Sequence, residues 1–389
     1  MTARQIYLDY AATTPVDPIV LEAMLPYFGE IFGNPSSIHR WGQKSDAAVE
    51  AARSDVAGVL QCLPEEVVFT GCGSESDNLA LRGAAHAAFR LRGARHILTS
   101  PVEHHAILRT AEQLAREGFE LELLPVDNFG RVSPKDLESR LRQDTAIVSV
   151  IFANNEIGTI NPIAELGAVC RERQIPLHTD AVQAASQLPL DLSELPVDLL
   201  SIGAHKFYGP KGVGALFVRR GTPLDPSQTG GPQEFGLRAG THNVPLIIGL
   251  AKALALTAAT WEEHGRRYRK LRDQLIAEIP VRIPDARLSG HPDERLPNHA
   301  SFVFRDLDGN QLLAALDVQG FGCSSGSACK TGDPEPSDVL TAIGLPGEWA
   351  LGSLRVTVGR PTTDDDIQAF LDLLPDVVSR LRRVAVSRA

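Results

Sequence analysis

Lys206 stands directly after an apolar run in the sequence VDLLSIGAHKFYGPKG. The run has the pattern of a buried strand, and open parallel sheets bind their ligands outside the carboxyl ends of strands. A lysine held there and partly desolvated can form a Schiff base with a carbonyl compound. A surface lysine at the start of a loop is the competing interpretation, and Lys206 considered alone favours it.

Asp180 ends a second apolar run, in the sequence IPLHTDAVQ. A carboxylate at such a strand end could hold a protonated ring nitrogen, which pyridoxal 5′-phosphate (PLP) requires of its enzyme. An aspartate that caps the next helix is the common alternative. Asp180 is therefore a candidate partner for a cofactor ring.

A glycine-rich turn separates a strand pattern from a helix pattern in VVFTGCGSESDNLAL. The strand ends at Thr70 and the helix begins near Ser74, where free N–H groups and the helix dipole favour an anion. The spacing matches neither the dinucleotide fingerprint nor the P-loop. The turn predicts an anion site without specifying a nucleotide, and an ordinary capping box at Ser74 is the alternative.

Polar clusters follow two more of the predicted strands. TSPVEHHAIL places His104 and His105 at the start of a helix, where an imidazole could stack on a cofactor ring or move protons. SVIFANNEIGTINP places Asn154, Asn155 and Glu156 after a fully apolar run, so we expect these three side chains to point into a crevice. Loop chemistry or helix capping is the alternative for each.

Two candidates for substrate chemistry lie nearer the C-terminus. Cys329 lies in GFGCSSGSACKTGDPEPS, a stretch of small residues that we expect to be mobile and to expose the thiol. A buried structural cysteine is the alternative, and Cys323 fits that description better.

Arg355 stands in the apolar pattern GSLRVTVGR, where its guanidinium group needs an anionic partner. A substrate carboxylate could accept two hydrogen bonds from that group. A solvent-facing strand residue is the alternative. Cys323 and Cys329 lack zinc-ligand spacing, so we predict no metal site.

The elements that must position these residues form an alternating pattern from residue 66 to residue 218. Strand–helix alternation predicts an α/β domain with a mostly parallel sheet. The last two runs have no long helix between them, so we expect an antiparallel hairpin at the sheet edge. The strand runs are Glu66–Thr70, His96–Ser100, Glu120–Pro125, Ala146–Phe152, Pro176–Asp180, Asp198–Ile202 and Gly212–Val218, and the helical patterns are Ser74–Arg90, Glu103–Glu117, Pro134–Leu141 and Pro162–Arg173.

The C-terminal third has a different organisation. Residues 245–278 form one helical pattern, which we interpret as a long helix that leaves one domain and enters another, with the boundary near residue 255. The remainder predicts a smaller α+β domain. Its strand patterns are Ala300–Arg305 and Ser353–Gly359, and its helical patterns are Gly309–Val318 and Asp364–Arg383.

Composition excludes several classes of protein. The chain has 38 basic and 48 acidic residues, a formal net charge of −10, which argues against a nucleic-acid binder that works by bulk charge. No apolar run approaches the roughly 18 residues of a membrane-spanning helix, and the first residues lack a secretory-signal pattern. The five cysteines include no CxxC pair, which argues against a disulfide framework. We therefore expect a cytoplasmic protein with no membrane or direct nucleic-acid partner.

Together the motifs closely resemble the cysteine desulfurases of the NifS/IscS type, in the class V aminotransferase group of fold-type I PLP enzymes. The resemblance runs from Tyr7 to the C-terminal helix. It implies a large PLP-binding α/β domain over residues 15–255 with a mostly parallel seven-stranded sheet, and a smaller α+β domain over residues 1–14 and 256–389 that carries the catalytic cysteine loop. The motifs that carry it are FGNPSS, ESDNLA, VEHHA, ANNEIGT, HTDAVQ, AHKFYGPKG, RAGT, CSSGSAC and SLRVTVGR.

The resemblance also implies a role for each residue that matches a family motif. Cys329, Lys206 and His104 are the implied catalytic residues, with Cys329 as the nucleophile that takes the sulfur. Thr241 would reach the phosphate of a neighbouring subunit, so a homodimer is implied. The implied cofactor contacts are Lys206, Asp180, Gln183, Asn155, His104, Gly73, Ser74, His205 and Thr241, and the implied substrate contacts are Asn34, Arg355 and Asn155.

The implied reaction removes sulfur from L-cysteine, gives L-alanine and leaves a persulfide on Cys329 for a sulfur acceptor. That acceptor could be an iron–sulfur scaffold protein, or a protein that takes part in the thiolation of tRNA or of a cofactor. A cysteine C–S lyase or selenocysteine lyase, which releases sulfide or selenide directly, is the alternative. The SSGSAC loop favours the desulfurase, since a simple lyase needs no exposed cysteine.

Overall fold

The computed structural model describes residues 5–326 and 336–386, with side chains described up to residue 383. Strands and helices alternate through the first half of the chain, as the sequence pattern predicts. The strands are β1 (Ile6–Tyr7), β2 (Val67–Thr70), β3 (His96–Thr99), β4 (Glu120–Leu123), β5 (Thr145–Ser149), β6 (Leu177–Asp180), β7 (Leu199–Gly203), β8 (Gly214–Val218), β9 (Ala286–Leu288), β10 (His299–Phe304), β11 (Phe321–Gly322) and β12 (Ser353–Thr357). The helices are α1 (Pro18–Met24), α2 (Pro26–Gly29), α3 (Arg40–Leu60), α4 (Gly73–Arg92), α5 (His105–Arg116), α6 (Pro134–Arg140), α7 (Ile163–Glu172), α8 (Val244–Ala258), α9 (Trp261–Arg282), α10 (Gly309–Val318), α11 (Asp338–Ala342), α12 (Gly347–Ala350) and α13 (Asp364–Val386).

Seven of the strands form one sheet in the order β2-β8-β7-β6-β5-β3-β4. The strands from β7 to β4 are parallel to their neighbours, whereas β8 runs antiparallel to both β2 and β7. The predicted β7–β8 hairpin is therefore present. Its expected place at the sheet edge is wrong, because β2 pairs with the other side of β8.

Helices cover both faces of this sheet, so successive residues of an inner strand are buried on opposite sides. In β2, Val67 and Phe69 pack into the core that includes α3, α7 and α8, whereas Val68 packs with α4 and α5. In β5, Val148 lies on the first side and Ile147 on the second. Double burial explains why these strands are continuous apolar runs in the sequence. The polar side chains that could bind a ligand therefore follow these strands at their carboxyl ends.

A second hydrophobic core surrounds a three-stranded antiparallel sheet in the order β12-β10-β9. Residues of α9, α10 and α13 pack in this core, and Ile6 and Leu8 of the N-terminal segment join it. β1 also pairs in parallel with β11. The N-terminal segment is thus built into the C-terminal part of the chain, while the domain bounds 15–255 and 256–389 stay a prediction.

The single long helix expected over residues 245–278 is wrong. The chain forms α8 and α9, which meet at an angle of 71° after a break at Ala259 and Thr260. The apolar α8 is buried in the core of the large sheet, whereas the charged α9 packs in the second core. One straight helix could not serve both environments. In residues 5–326 and 336–386 no single helix is long and apolar enough to cross a membrane, and α8 with α9 passes that test only as a bent pair.

Candidate functional site

A cavity of about 550 Å³ opens where the carboxyl ends of β5, β6 and β7 meet the N-terminal segment and β12. Nine of the predicted site residues line it, although they come from segments far apart in the sequence. These are Gly73, Ser74, His104, Asn155, Asp180, Gln183, His205, Lys206 and Arg355.

Lys206 follows β7 in a short 3₁₀ turn and projects into the cavity. Its Nζ donates to the carbonyl oxygens of Ala11 at 2.7 Å and Ala12 at 2.8 Å. Burial, followed by the nearby Arg355 charge, lowers the pKa of Lys206 to about 8, although Asp180 acts in the opposite direction. The uncharged fraction of this amine near neutral pH is therefore far larger than that of a lysine with the ordinary pKa of about 10.4, which favours reaction with a carbonyl group.

We expect Lys206 in the PLP-free protein to react with an amine-selective electrophile more readily than lysines with the ordinary pKa of about 10.4. Its labelling should rise through a midpoint near pH 8, because the amine that reacts is the unprotonated one. Peptide mass spectrometry across a pH series measures the labelled fraction. Added PLP should protect Lys206 alone, and a labelling midpoint like that of exposed lysines would contradict the expectation.

Asp180 ends β6, all four residues of which are buried. Its Oδ1 accepts the backbone N–H of Val182 at 2.9 Å, and its other oxygen is not held by that contact. Burial raises the pKa of Asp180, whereas the nearby His104 and Lys206 act to lower it. A carboxylate buried beside two bases is suited to hold a protonated ring nitrogen.

The glycine-rich turn after β2 forms the anion end of the cavity. α4 begins at Gly73, and the side chain of its N-cap residue, Cys72, makes no capping hydrogen bond. The alternative, a capping box at Ser74, is therefore wrong, and the helix start leaves N–H groups available for an anion at the cavity. His205 lies beside this end, with Nδ1 3.2 Å from the Thr13 hydroxyl. Burial and the nearby lysines lower the pKa of His205 to about 4, so it is a neutral hydrogen-bonding group.

His104 caps the N-terminus of α5, with Nδ1 accepting the backbone N–H of Ala106 at 3.1 Å. Burial lowers its pKa, and the neighbouring Lys206 adds to this effect while Asp180 opposes it. The capping alternative is thus correct for one ring nitrogen. The ring itself lines the cavity and stays available for stacking.

Arg355 occupies the opposite end of the cavity and is only 5% exposed. Its Nη1 donates to the carbonyl oxygen of Asn155 at 2.9 Å, and its Nη2 donates to Asp9 Oδ1 at 2.8 Å. Nε has no partner among the residues that the structure describes. We expected the Arg355 guanidinium group to need a substrate carboxylate as its anionic partner. That expectation is only partly correct, because Asp9 already pairs with it.

The polar cluster after β5 divides between the cavity and the core. Asn155 and Glu156 line the cavity. Asn154 is fully buried and donates through Nδ2 to the Val102 carbonyl at 2.7 Å, so the expectation that it points into a crevice is wrong. Glu156 accepts a hydrogen bond from Ser337 Oγ at 2.5 Å, and burial raises its pKa to about 7.

Three predicted residues are not placed in the cavity. Asn34 is exposed, and its Oδ1 accepts the backbone N–H of Ser36. Thr241 is exposed on a loop that Glu234 anchors through two hydrogen bonds from Arg53, each 2.8 Å long. Cys329 lies outside the described residues.

Sequence reasoning missed the cavity residues Asp77 and Glu103, and it also missed Asp9, which contacts Arg355 without lining the cavity itself. Asp9 has no local signal, because it precedes the pattern YAATTP as an ordinary loop residue. Glu103 immediately precedes the histidine pair and resembles an exposed acid before a helix. Asp77 did carry a signal, since it shares the buried face of α4 with Ala80, Ala84 and Ala88. The ligand atoms of Asp77, His104 and Asp180 lie within 4.8 Å of one another, and the absence of a metal site stays a prediction.

Comparisons with known proteins agree with this geometry. Residues 6–370 match the family described as aminotransferase class V. The chain is 48% identical over 382 residues to cysteine desulfurase IscS of Methanosarcina thermophila, covering 98% of this chain and 94% of that protein. It is also 48% identical over 382 residues to cysteine desulfurase IscS of Dictyoglomus turgidum, covering 98% and 96%.

Solved structures give the same result. A NifS-like protein superposes with a TM-score of 0.91 at 36% identity, covering 97% of this chain and 100% of that one. SspA in complex with cysteine superposes with a TM-score of 0.79 at 36% identity, covering 91% and 98%. The predicted family and fold class are confirmed: the chain belongs to the class V aminotransferase family, whose members use PLP.

Proposed function

We propose that this chain is a PLP-dependent cysteine desulfurase, which converts L-cysteine to L-alanine and leaves a persulfide on Cys329. One observation carries the proposal. A single cavity contains Lys206, Asp180 and Arg355, and it is also lined by the described residues that flank the Cys329 segment, namely Ser325, Gly326, Pro336 and Ser337. The similar proteins named cysteine desulfurase support the choice of substrate.

The residues present fit PLP. The cavity contains an amine of lowered pKa at Lys206, a buried carboxylate at Asp180 and the uncapped N-terminus of α4 for a phosphate. A Cβ atom at residue 73 would lie 2.6 Å from Val182 Cγ2, so glycine lets the turn approach this close. Bound PLP supplies an electron sink at the carbon that is deprotonated.

The chain's own residues then have separable tasks. Lys206 would hold the cofactor through Nζ, and the same amine would accept the α-proton of the substrate. Arg355, supported by Asp9, orients the substrate carboxylate. His104 would stack on the bound ring. Because its Nδ1 accepts the Ala106 N–H, the neutral imidazole carries its proton on Nε2, from which it would donate to a thiolate.

Sulfur transfer balances without an external oxidant. The thiolate of Cys329 attacks the substrate sulfur, so an S–S bond forms as the C–S bond breaks. The electron pair of the broken bond stays with carbon, which takes a proton and becomes the methyl group of alanine. In net terms, one thiol and one cysteine give one persulfide and one alanine.

The remaining assignments belong to the same proposal. Asn34 contacts the substrate carboxylate, Gln183 and Asn155 lie near the phenolic oxygen, and Thr241 reaches the phosphate site of a second copy in a homodimer. The exposure of Asn34 and Thr241 is consistent with residues that act at an interface between copies. We place the enzyme in the cytoplasm, with a sulfur acceptor such as an iron–sulfur scaffold protein.

The test is a single-turnover incubation of the purified protein with L-cysteine, without a reductant. We expect stoichiometric alanine, with added sulfur on Cys329 in peptide mass spectrometry. Pyruvate and free sulfide with an unmodified Cys329 would instead identify a C–S lyase. A parallel incubation with L-selenocysteine tests the selenocysteine lyase, which would release selenide and leave Cys329 unmodified.

A further inference from the structure

Three buried carboxyl groups line the cavity and act on one another electrostatically. Asp77 comes from α4, Glu103 from the loop between β3 and α5, and Asp180 from the end of β6. They are 1%, 3% and 5% exposed, respectively, and all line the cavity. We call Asp77, Glu103 and Asp180 the carboxyl floor.

Hydrogen-bond donors in the carboxyl floor are too few for three anions. Asp180 accepts the Val182 N–H. Glu103 Oε1 accepts the Ser100 hydroxyl at 2.5 Å and the Ile151 N–H at 2.9 Å. Among the described residues, the buried atoms Asp77 Oδ1 and Glu103 Oε2 have no partner. An unpaired buried carboxylate oxygen is costly, whereas a protonated oxygen is itself a donor.

Among the described residues, the charged amine that acts on the floor is Lys206, and it acts on Asp180. The His104 ring lies within 4.8 Å of both Asp77 and Asp180, but burial lowers its pKa and so favours the neutral imidazole. The base nearest Asp77 is His178, whose Nε2 lies 3.7 Å from Asp77 Oδ1. Ser149 and Ser201 hydroxyls already contact both nitrogens of His178, and burial lowers its pKa to about 3, so it is neutral.

The other described groups that act on Asp77 and Glu103 carry no positive charge that would stabilise an ionised carboxylate. Asp77 has the Ser201 hydroxyl, the Cys72 thiol and the other two carboxyl groups. Glu103 has a hydroxyl, backbone N–H groups and Asp180. Burial raises the pKa of Glu103 to about 8 and that of Asp77 well above its usual range, with Asp180 adding to both effects. Like charges this close in a buried site do not ionise together.

We propose that Asp77 and Glu103 are positioning residues kept as neutral acids, so that Asp180 carries the single negative charge of the carboxyl floor and presents it to the ring nitrogen. The identity of the ring rests on the proposed function. A neutral acid can donate a hydrogen bond towards Asp180 and so favours its ionised form. Two further anions would instead repel the charge on Asp180. They would also favour transfer of the proton from the ring nitrogen to one of the carboxylates.

Infrared difference spectra of the full-chain holoenzyme test the protonation states. At neutral pH, Asp77→Asn and Glu103→Gln should each remove one carbonyl band of a protonated carboxyl group. Asp180→Asn and Glu112→Gln are the matched controls and should remove none; Glu112 is partly exposed and pairs with Arg109. If neither Asp77→Asn nor Glu103→Gln removes a band, the proposal is overturned.

Cofactor affinity provides a second readout. Asparagine and glutamine resemble the neutral acids in shape and charge, so Asp77→Asn and Glu103→Gln should bind PLP within about threefold of the wild type, whereas Asp180→Asn should bind it at least about tenfold more weakly. A loss in Asp77→Asn as large as that in Asp180→Asn would overturn the proposal.

A measurement without variants covers the case in which a substitution prevents folding. Wild-type protein labelled with ¹³C in aspartate, or separately in glutamate, assigns the protonated bands by residue type during a pH titration. Protonated-carboxyl bands that are already lost as the pH rises past about 5, in the ordinary carboxyl range, would overturn the proposal. If the protein does not bind PLP at all, the proposed function fails, while the infrared bands still report on Asp77 and Glu103 independently.

Discussion

Lys206→Ala should abolish multiple turnover of L-cysteine while the protein stays folded. In the proposed function, the substitution removes both the covalent attachment of PLP and the group that accepts the proton of the α-carbon. Loss of the proton transfer alone is expected to cost about 10²–10⁴-fold in rate, and the lost covalent attachment adds to it. Alanine formation measured by a coupled or chromatographic assay, together with the visible absorbance of the bound cofactor, checks both losses.

The matched control is Lys211→Ala, five positions further along the same chain, where the lysine is exposed and does not line the cavity. This variant should keep wild-type alanine formation and cofactor absorbance. Because Lys206 is largely buried and donates to Ala11 and Ala12, circular dichroism is needed to show that the fold is intact. Turnover retained in a folded Lys206→Ala protein would remove this lysine from the mechanism.

Cys329→Ala should abolish persulfide formation but leave the cofactor absorbance intact. The reason is that the proposed roles are separate: Lys206, Asp180 and the N-terminus of α4 would hold PLP, whereas Cys329 would only receive sulfur. Intact-mass spectrometry after incubation with L-cysteine should show no added sulfur, and alanine should fall to the background. Loss of PLP binding in this variant would contradict the division of roles.

Cys62→Ala is the control for this second prediction. Cys62 follows α3 and packs against the large core, away from the cavity, and burial raises the pKa of its thiol to about 12. Removing it should leave the persulfide on Cys329. Rapid sulfide release by Cys329→Ala would favour the C–S lyase instead, because a lyase needs no protein thiol.

The α/β fold could be predicted from local sequence patterns, and the family and nine of the residues that line the cavity could be predicted from such patterns together with the resemblance. Asp180 and Lys206 were detectable because each directly follows a doubly buried strand, and the carboxyl ends of neighbouring parallel strands meet at one edge. The helix start at Gly73 was placed to within one residue because a glycine-rich turn after a strand is a local signal. Such features depend on a few adjacent residues.

Other features depended on contacts between distant residues. The inner position of β8 is determined by its pairing with β2, nearly 150 positions earlier in the chain. The bend between α8 and α9 follows from two separate cores that each bury one helix. Neither core can be recognised within the helical pattern itself.

By itself, the sequence determined that one strand ends before a lysine, a second ends in an aspartate and a third ends before a glycine-rich turn that could bind an anion. Each of these features depends only on an apolar run and on the residues that follow it. Only the tertiary structure decided that Asp9 already pairs with Arg355 and that Asp77 and Glu103 join Asp180 in one buried floor. The reason is that the charge state and the partner of a buried group depend on every element packed around it. For Asp77, those elements are β6, β7 and the loop before α5, which meet only in the folded chain.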